Sequence, residues 1–174
     1  MPRPILRLGD PVLKTPARPI ELAEISGEVF RALAADMAET LDLAGGVGLA
    51  APQVGASVRL ILAGSFPTAA HPARPRVPVG FLVNPRVVAA SAETEPGWEG
   101  CLSFPEFRVR VARHASVTVE HLTLDGLPAR IEATGFFARV LQHEIDHLDG
   151  VLTLDRAASP DDVRPTDDGP PPVS

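Results

Sequence analysis

The run His143-Glu144-Ile145-Asp146-His147 places more reactive groups in five residues than any other stretch of this chain. Two imidazoles at i and i+4 fall one turn apart on one helix face, where both reach the same metal ion. Glu144 lies about 100° around that helix from His143. It is in range of a water on such an ion without being a ligand itself, and so is placed to take a proton. The bland alternative, two helix histidines satisfied by hydrogen bonds, suits a lone histidine better than this triplet.

A hydrolytic metal site needs a third protein ligand and one open position. The single cysteine, Cys101, sits in Glu99-Gly100-Cys101-Leu102-Ser103. Gly97 and Gly100 loosen the backbone enough to turn its sulfur inward. Cys101, His143 and His147 therefore form the natural metal set. Against this stands a free buried cysteine acting as a small hydrophobe. One cysteine excludes an internal disulfide, and a reducing compartment suits a thiol with metal or redox chemistry.

The elements that must position these groups follow from periodicity. From Glu28 to Leu43 the apolar residues Val29, Leu33, Met37 and Leu41 recur at helical spacing, with Ser26 as a possible cap. Gly45-Gly46-Val47-Gly48 ends that helix and leads into small residues. Arg59 to Ala63 and Val79 to Val83 read as strands, separated by a proline-rich surface loop over 64–78. Between Phe107 and Glu132 short alternating runs and the turn signal Asp125-Gly126 predict antiparallel pairing. A second helix opens at Thr134 or Gly135 and runs to Leu148, with Gly150 stopping it. Phe137, Leu141, Ile145 and Leu148 form its core stripe. Phe136 and Val140 form a second stripe, read equally well as a pocket wall beside the metal or as more core.

Strands and helices that do not alternate regularly predict an α+β fold, with antiparallel sheets packed around a central metal-binding helix in one domain over 1–156. Residues 157–174, rich in Pro and Asp, read as a disordered tail whose deletion spares activity. At 174 residues the chain suits one domain that buries roughly 70% of its unfolded surface. Its apolar stretches are too short to span a bilayer, and no secretory signal opens it, so the expected location is cytoplasmic, with no membrane partner. A net charge of −6 argues against DNA as a partner. Arg108, Arg110 and Arg113 read as a solvated basic strand, with ribosomal RNA contact the weaker alternative.

Three segments, Gly46-Val47-Gly48-Leu49-Ala50-Ala51-Pro52-Gln53, Glu99 to Ser103, and Gln142 to Gly150, resemble the three signature motifs of peptide deformylases in order and spacing. The opening Ile5 to Leu13 is similar to that family's beginning. This resemblance implies removal of the N-formyl group from formyl-methionine at the start of new polypeptides, with release of formate. It implies one ferrous ion per chain, replaceable by zinc, nickel or cobalt. N-formylmethionyl nascent peptides become the partners, with the ribosome near its exit tunnel as a further one. Glu144 becomes the general acid and base. Gln53 and the Leu102 N–H become oxyanion donors, roles that neither composition nor spacing would assign. Val47, Glu99, Phe136, Arg139 and Val140 fall where the family borders its methionine pocket, and Gly48 and Gly100 where substrate backbone passes.

Two other readings compete. A zincin-type metalloprotease shares His-Glu-x-x-His, but no histidine follows His147, and Asp155 and Asp161 lack a helix to present them. A metal-storage or redox-sensing protein could use the same Cys-His-His site, yet would need neither Glu144 nor Gln53. A paralogue acting on another acyl group would keep the same chemistry.

Overall fold

The computed structural model describes residues 1–69 and 71–166. Its organising element is the helix α3, Gly135–Leu148, whose residues from Phe137 onward are nearly all buried. Phe137, Leu141, Ile145 and Leu148 pack onto Ala50, Ile61 and Ala63 of the neighbouring sheet. Such a helix is held by burial on every side, not by an amphipathic surface. Gly150, at φ +71°, follows the Asp149 cap and passes so close to the Lys14 carbonyl that a side chain would collide there.

The sheet beneath α3 has the order β1-β2-β3-β6-β7, antiparallel throughout. Its strands are β1 (Gly48–Ala50), β2 (Leu60–Ser65), β3 (Val77–Ala90), β6 (Ser116–Leu122) and β7 (Pro128–Thr134). All six residues of β2 are buried, as expected of a strand covered on both faces. A second sheet, β4-β5-β8, comprises Thr94–Glu99, Phe107–His114 and Val163–Pro165. The chain between β5 and β6 thus changes sheets at Ala115, and the predicted antiparallel region divides into two. The turn at Asp125-Gly126 joins β6 to β7, with Gly126 at φ +77°.

Two helices precede these strands, the single turn α1 (Leu22–Ile25) and the long α2 (Glu28–Ala44). α2 ends at Gly45 in the left-handed region, where the glycine run predicted a stop. Its buried stripe is Phe30, Leu33, Ala34, Met37 and Leu41, while Val29 is 86% exposed. Phe30 occupies the place expected for Val29 because the larger ring fits the same face through i+4 and i+7 contacts. Gly27, not Ser26, stands at the N-cap; Ser26 closes α1 instead.

The largest departure concerns the tail. Pro160–Asp162 forms a turn of 3-10 helix, and β8 pairs with β5 through Val163↔Val109. Val163 packs on the cluster of Leu13, Cys101, Phe104, Val109 and Val111. The segment read as disordered from residue 157 therefore covers the β5 edge through Pro165. A composition argument overlooks this, since one apolar residue and a free strand edge suffice to dock a short strand. Residues 167–174 lie outside the described residues. No helix among those described is long and apolar enough to cross a membrane.

Candidate metal centre

α3 projects His143 and His147 from adjacent turns, their rings 5.0 Å apart at an interplanar angle of 67°. Cys101 arrives from the other sheet, just past the end of β4. One ligand atom from each of Cys101, His143 and His147 lies within 4.8 Å of the others, and all three residues are buried. Cys101 Sγ stands 3.3 Å from His147 Nε2. Such a trio of thiolate and imidazole donors suits a transition metal and not a hard, oxygen-seeking cation.

The unsatisfied atoms around this cluster support the same reading. His143 Nε2, His147 Nδ1 and both oxygens of Glu144 are buried without a hydrogen-bond partner. Buried polar groups are rarely left so, and an ion with its water would engage His143 Nε2 and the carboxylate together. Burial pushes the Glu144 carboxyl up to about 7, a range suited to exchanging a proton near neutrality. Burial, and then the charge of His143, keeps His147 well below its ordinary value, in the neutral form that ligates. For His143 burial acts downward, but the nearby Cys101 sulfur and the Glu99 carboxylate on Nδ1 outweigh it and hold the imidazole at about 10. Metal binding there displaces a proton.

Gln53 reaches the centre from the 3-10 turn Ala51–Val54 after β1. Its Oε1 accepts from the Ala50 N–H at 2.9 Å, which turns Nε2 towards Cys101 Sγ at 3.7 Å and Ser103 Oγ at 3.3 Å. Leu102 follows Cys101 directly, and its side chain anchors in the cluster of Leu41 and Leu49. Gly48 lies against Glu144, so closely that a Cβ would overlap the carboxylate. The three sequence segments thus converge on one point.

The remaining predicted residues fall in three places. Gly100, Phe136 and Arg139 line an open cleft beside the centre. Val47 and Val140, 1% and 0% exposed, are packed in the core cluster under α3. Glu99 differs from its expected place at a pocket border, for its side chain has no exposed surface. Its Oε2 faces His143 Nδ1 at 2.9 Å, and its Oε1 accepts from Arg113 Nε at 2.9 Å and Arg139 Nη1 at 2.7 Å. Burial opposes its ionisation, but hydrogen bonds from His143 and Arg113 hold it well below the usual carboxylate range.

Arg113 corrects the reading of a solvated basic strand. Alternation along β5 puts Val109, Val111 and Arg113 on the inward face, so Arg113 is 4% exposed and bridges Glu99 to Asp146. Arg156 adds two bonds to Asp146, at 3.0 and 2.5 Å. Sequence reading missed this network, although a period-two apolar run ending in arginine signals a buried charge in need of acids.

A Cys-His-His donor set with an adjacent unpaired carboxylate, carried by a buried helix in an α+β frame, defines a metal-dependent hydrolase. The family model described as Polypeptide deformylase matches residues 2–163. Peptide deformylase 2 of Nostoc sp. is 41% identical over 90% of this chain and 86% of its own length. Peptide deformylase of Dictyoglomus thermophilum is 44% identical over 90% of this chain and 94% of its own. Among solved structures, the Met-Ala-Ser-bound class I type b peptide deformylase of Acinetobacter baumannii superposes with a TM-score of 0.86 at 38% identity, covering 90% of this chain and 98% of that one. The chain belongs to the polypeptide deformylase family.

Proposed function

We propose that this enzyme hydrolyses the formyl amide at the N-terminal formyl-methionine of newly made polypeptides and releases formate. The observation that carries the reading is the fully buried Glu144, both oxygens unpaired, beside the cluster of Cys101, His143 and His147. A relative of this fold holds the tripeptide Met-Ala-Ser, which has the form of a deformylated product.

Cys101, His143 and His147 would hold one divalent ion, which supplies Lewis acidity that polarises the formyl carbonyl and acidifies water. Glu144 accepts the proton of the attacking water and returns it to the leaving amine nitrogen, so that formate and a free N-terminus result. Gln53 Nε2 and the Leu102 N–H donate to the oxyanion as the carbonyl carbon becomes tetrahedral. Gly48 leaves Glu144 room for both transfers. Gly100, Phe136 and Arg139 border the entering substrate. The likeness to peptide deformylases supports ferrous iron as the native ion, with zinc, nickel or cobalt as substitutes; the thiolate and imidazole donors suit all four and do not select among them. The cytoplasm, reducing and supplied with new chains, is the fitting compartment for a thiolate ligand.

Incubation of anaerobically purified, iron-loaded protein with formyl-Met-Ala-Ser tests this reading. Formate release without peptide-bond cleavage is expected. Cleavage of the peptide bond, or no formate at full metal occupancy, would overturn it.

A further inference from the structure

The cleft beside Gly100 has a volume of about 920 Å³. One wall is the stretch His71 to Pro75, and the other is formed by the β4-β5-β8 sheet and the start of α3. Four arginines line it: Arg139, which is paired with Glu99, and three from different elements, Arg74, Arg108 and Arg164. Arg74 stands over the Phe136 ring, with Cζ 3.8 Å from its centroid, and Arg164 stands over Trp98 at 3.9 Å. Arg108 and Arg164 are register partners across β5 and β8. Like charges directly opposite one another weaken an antiparallel pair.

Among the described residues no carboxylate lies within salt-bridge distance of these three arginines. Arg74 Nη1 is buried without a hydrogen-bond partner. Burial, and then the charge of Arg108, holds the Arg74 guanidinium below its ordinary range. On a chain with net charge −6, such an uncompensated cluster in a concave surface marks a place for anionic groups.

We propose that this cleft receives acidic side chains at the second to fourth positions of the substrate, so that the enzyme favours N-termini carrying Asp or Glu just after the formyl-methionine. This rests on the deformylase reading. An extended peptide advances about 3.3 Å per residue, which carries those positions from the centre at Cys101 past Gly100 into the arginine-lined space. Guanidinium groups match carboxylates geometrically and can bind them through two parallel hydrogen bonds. A single-stranded RNA would instead need open aromatic faces for stacking, and Arg74 and Arg164 already cover Phe136 and Trp98.

The test compares kcat/KM for formate release from formyl-Met-Asp-Glu, formyl-Met-Ala-Ser and formyl-Met-Lys-Lys at low and high salt. Acidic over basic selectivity of about tenfold is expected, decreasing with salt and collapsing in the Arg74→Gln/Arg108→Gln variant. Trp98, the chain's one tryptophan, gives a second readout that needs no turnover. Its fluorescence should respond saturably to Met-Asp-Glu and not to Met-Lys-Lys. Equal rates for the three peptides, or selectivity that survives the double variant, would overturn the proposal. Tighter competition at Trp98 by an oligoribonucleotide than by the acidic peptide would also overturn it. Formate from none of the peptides would count against the deformylase reading alone, with the Trp98 titration still deciding for or against the cleft.

Discussion

Glu99 Oε2 lies 2.9 Å from His143 Nδ1, within a carboxylate that also accepts hydrogen bonds from Arg113 and Arg139. A proton on Nδ1 shared with Glu99 leaves the Nε2 lone pair directed at the metal site. The ligand's tautomer is thus set by a residue on β4, more than forty positions away along the chain.

Replacing this carboxylate should separate metal affinity from catalysis. Glu99→Gln is expected to weaken metal binding by about 10- to 100-fold. It should also destabilise the fold by about 3 kcal/mol, since Arg113 loses one of two acidic partners inside the protein. Chelator competition and thermal melting read the two effects. Unchanged affinity would show that His143 is oriented by the helix alone.

Glu144→Gln should do the opposite. The ion remains bound at one per chain, while formate release drops by about 10²- to 10⁴-fold. Stability should be unchanged or higher, because the carboxylate is buried without partners and a neutral amide costs less to bury. Elemental analysis beside steady-state kinetics checks this. Retained turnover would remove Glu144 from the chemistry.

Gly48→Ala places a methyl group where the Glu144 carboxylate stands. Displacement of that carboxylate by even 1 Å should lower kcat by about 10²-fold with metal content intact. A variant with normal kcat would mean that the β1 backbone shifts freely away from Glu144.

A chain ending at Arg156 should melt lower than one ending at Thr166 by about 4 °C, the equivalent of about 1 kcal/mol in a domain of this size. The difference comes from uncovering the β5 edge and Val109 when β8 is removed. Equal melting temperatures would show that β8 adds nothing to stability.

What could be read from the sequence and what could not divides along contact range. The pair His143 and His147 was legible because helix geometry joins i to i+4 within one element, and Gly45 and Gly150 marked helix ends for equally local reasons. The convergence of Cys101 on that pair was suggested by scarcity, since the chain has one cysteine. Arg113 gave only the period-two run along β5, and Asp146 and Arg156 gave no signal that they are its partners. Their partnership depends on which way β5 faces and on the path of the chain after α3, both settled by tertiary packing. Val29 misled because a four-residue apolar spacing is satisfied by two overlapping stripes, and only the larger Phe30 shows which one is buried. The tail misled because composition reports the lack of a core and is silent about an open strand edge elsewhere.

The central claim is that one ion held by Cys101, His143 and His147 drives deformylation. Its most direct test measures formate release from formyl-Met-Ala-Ser while ferrous iron is titrated anaerobically into metal-free protein. Release should rise in proportion to occupancy from a negligible rate and level off at one ion per chain. A rate independent of occupancy, or no release at one ion per chain, would contradict it.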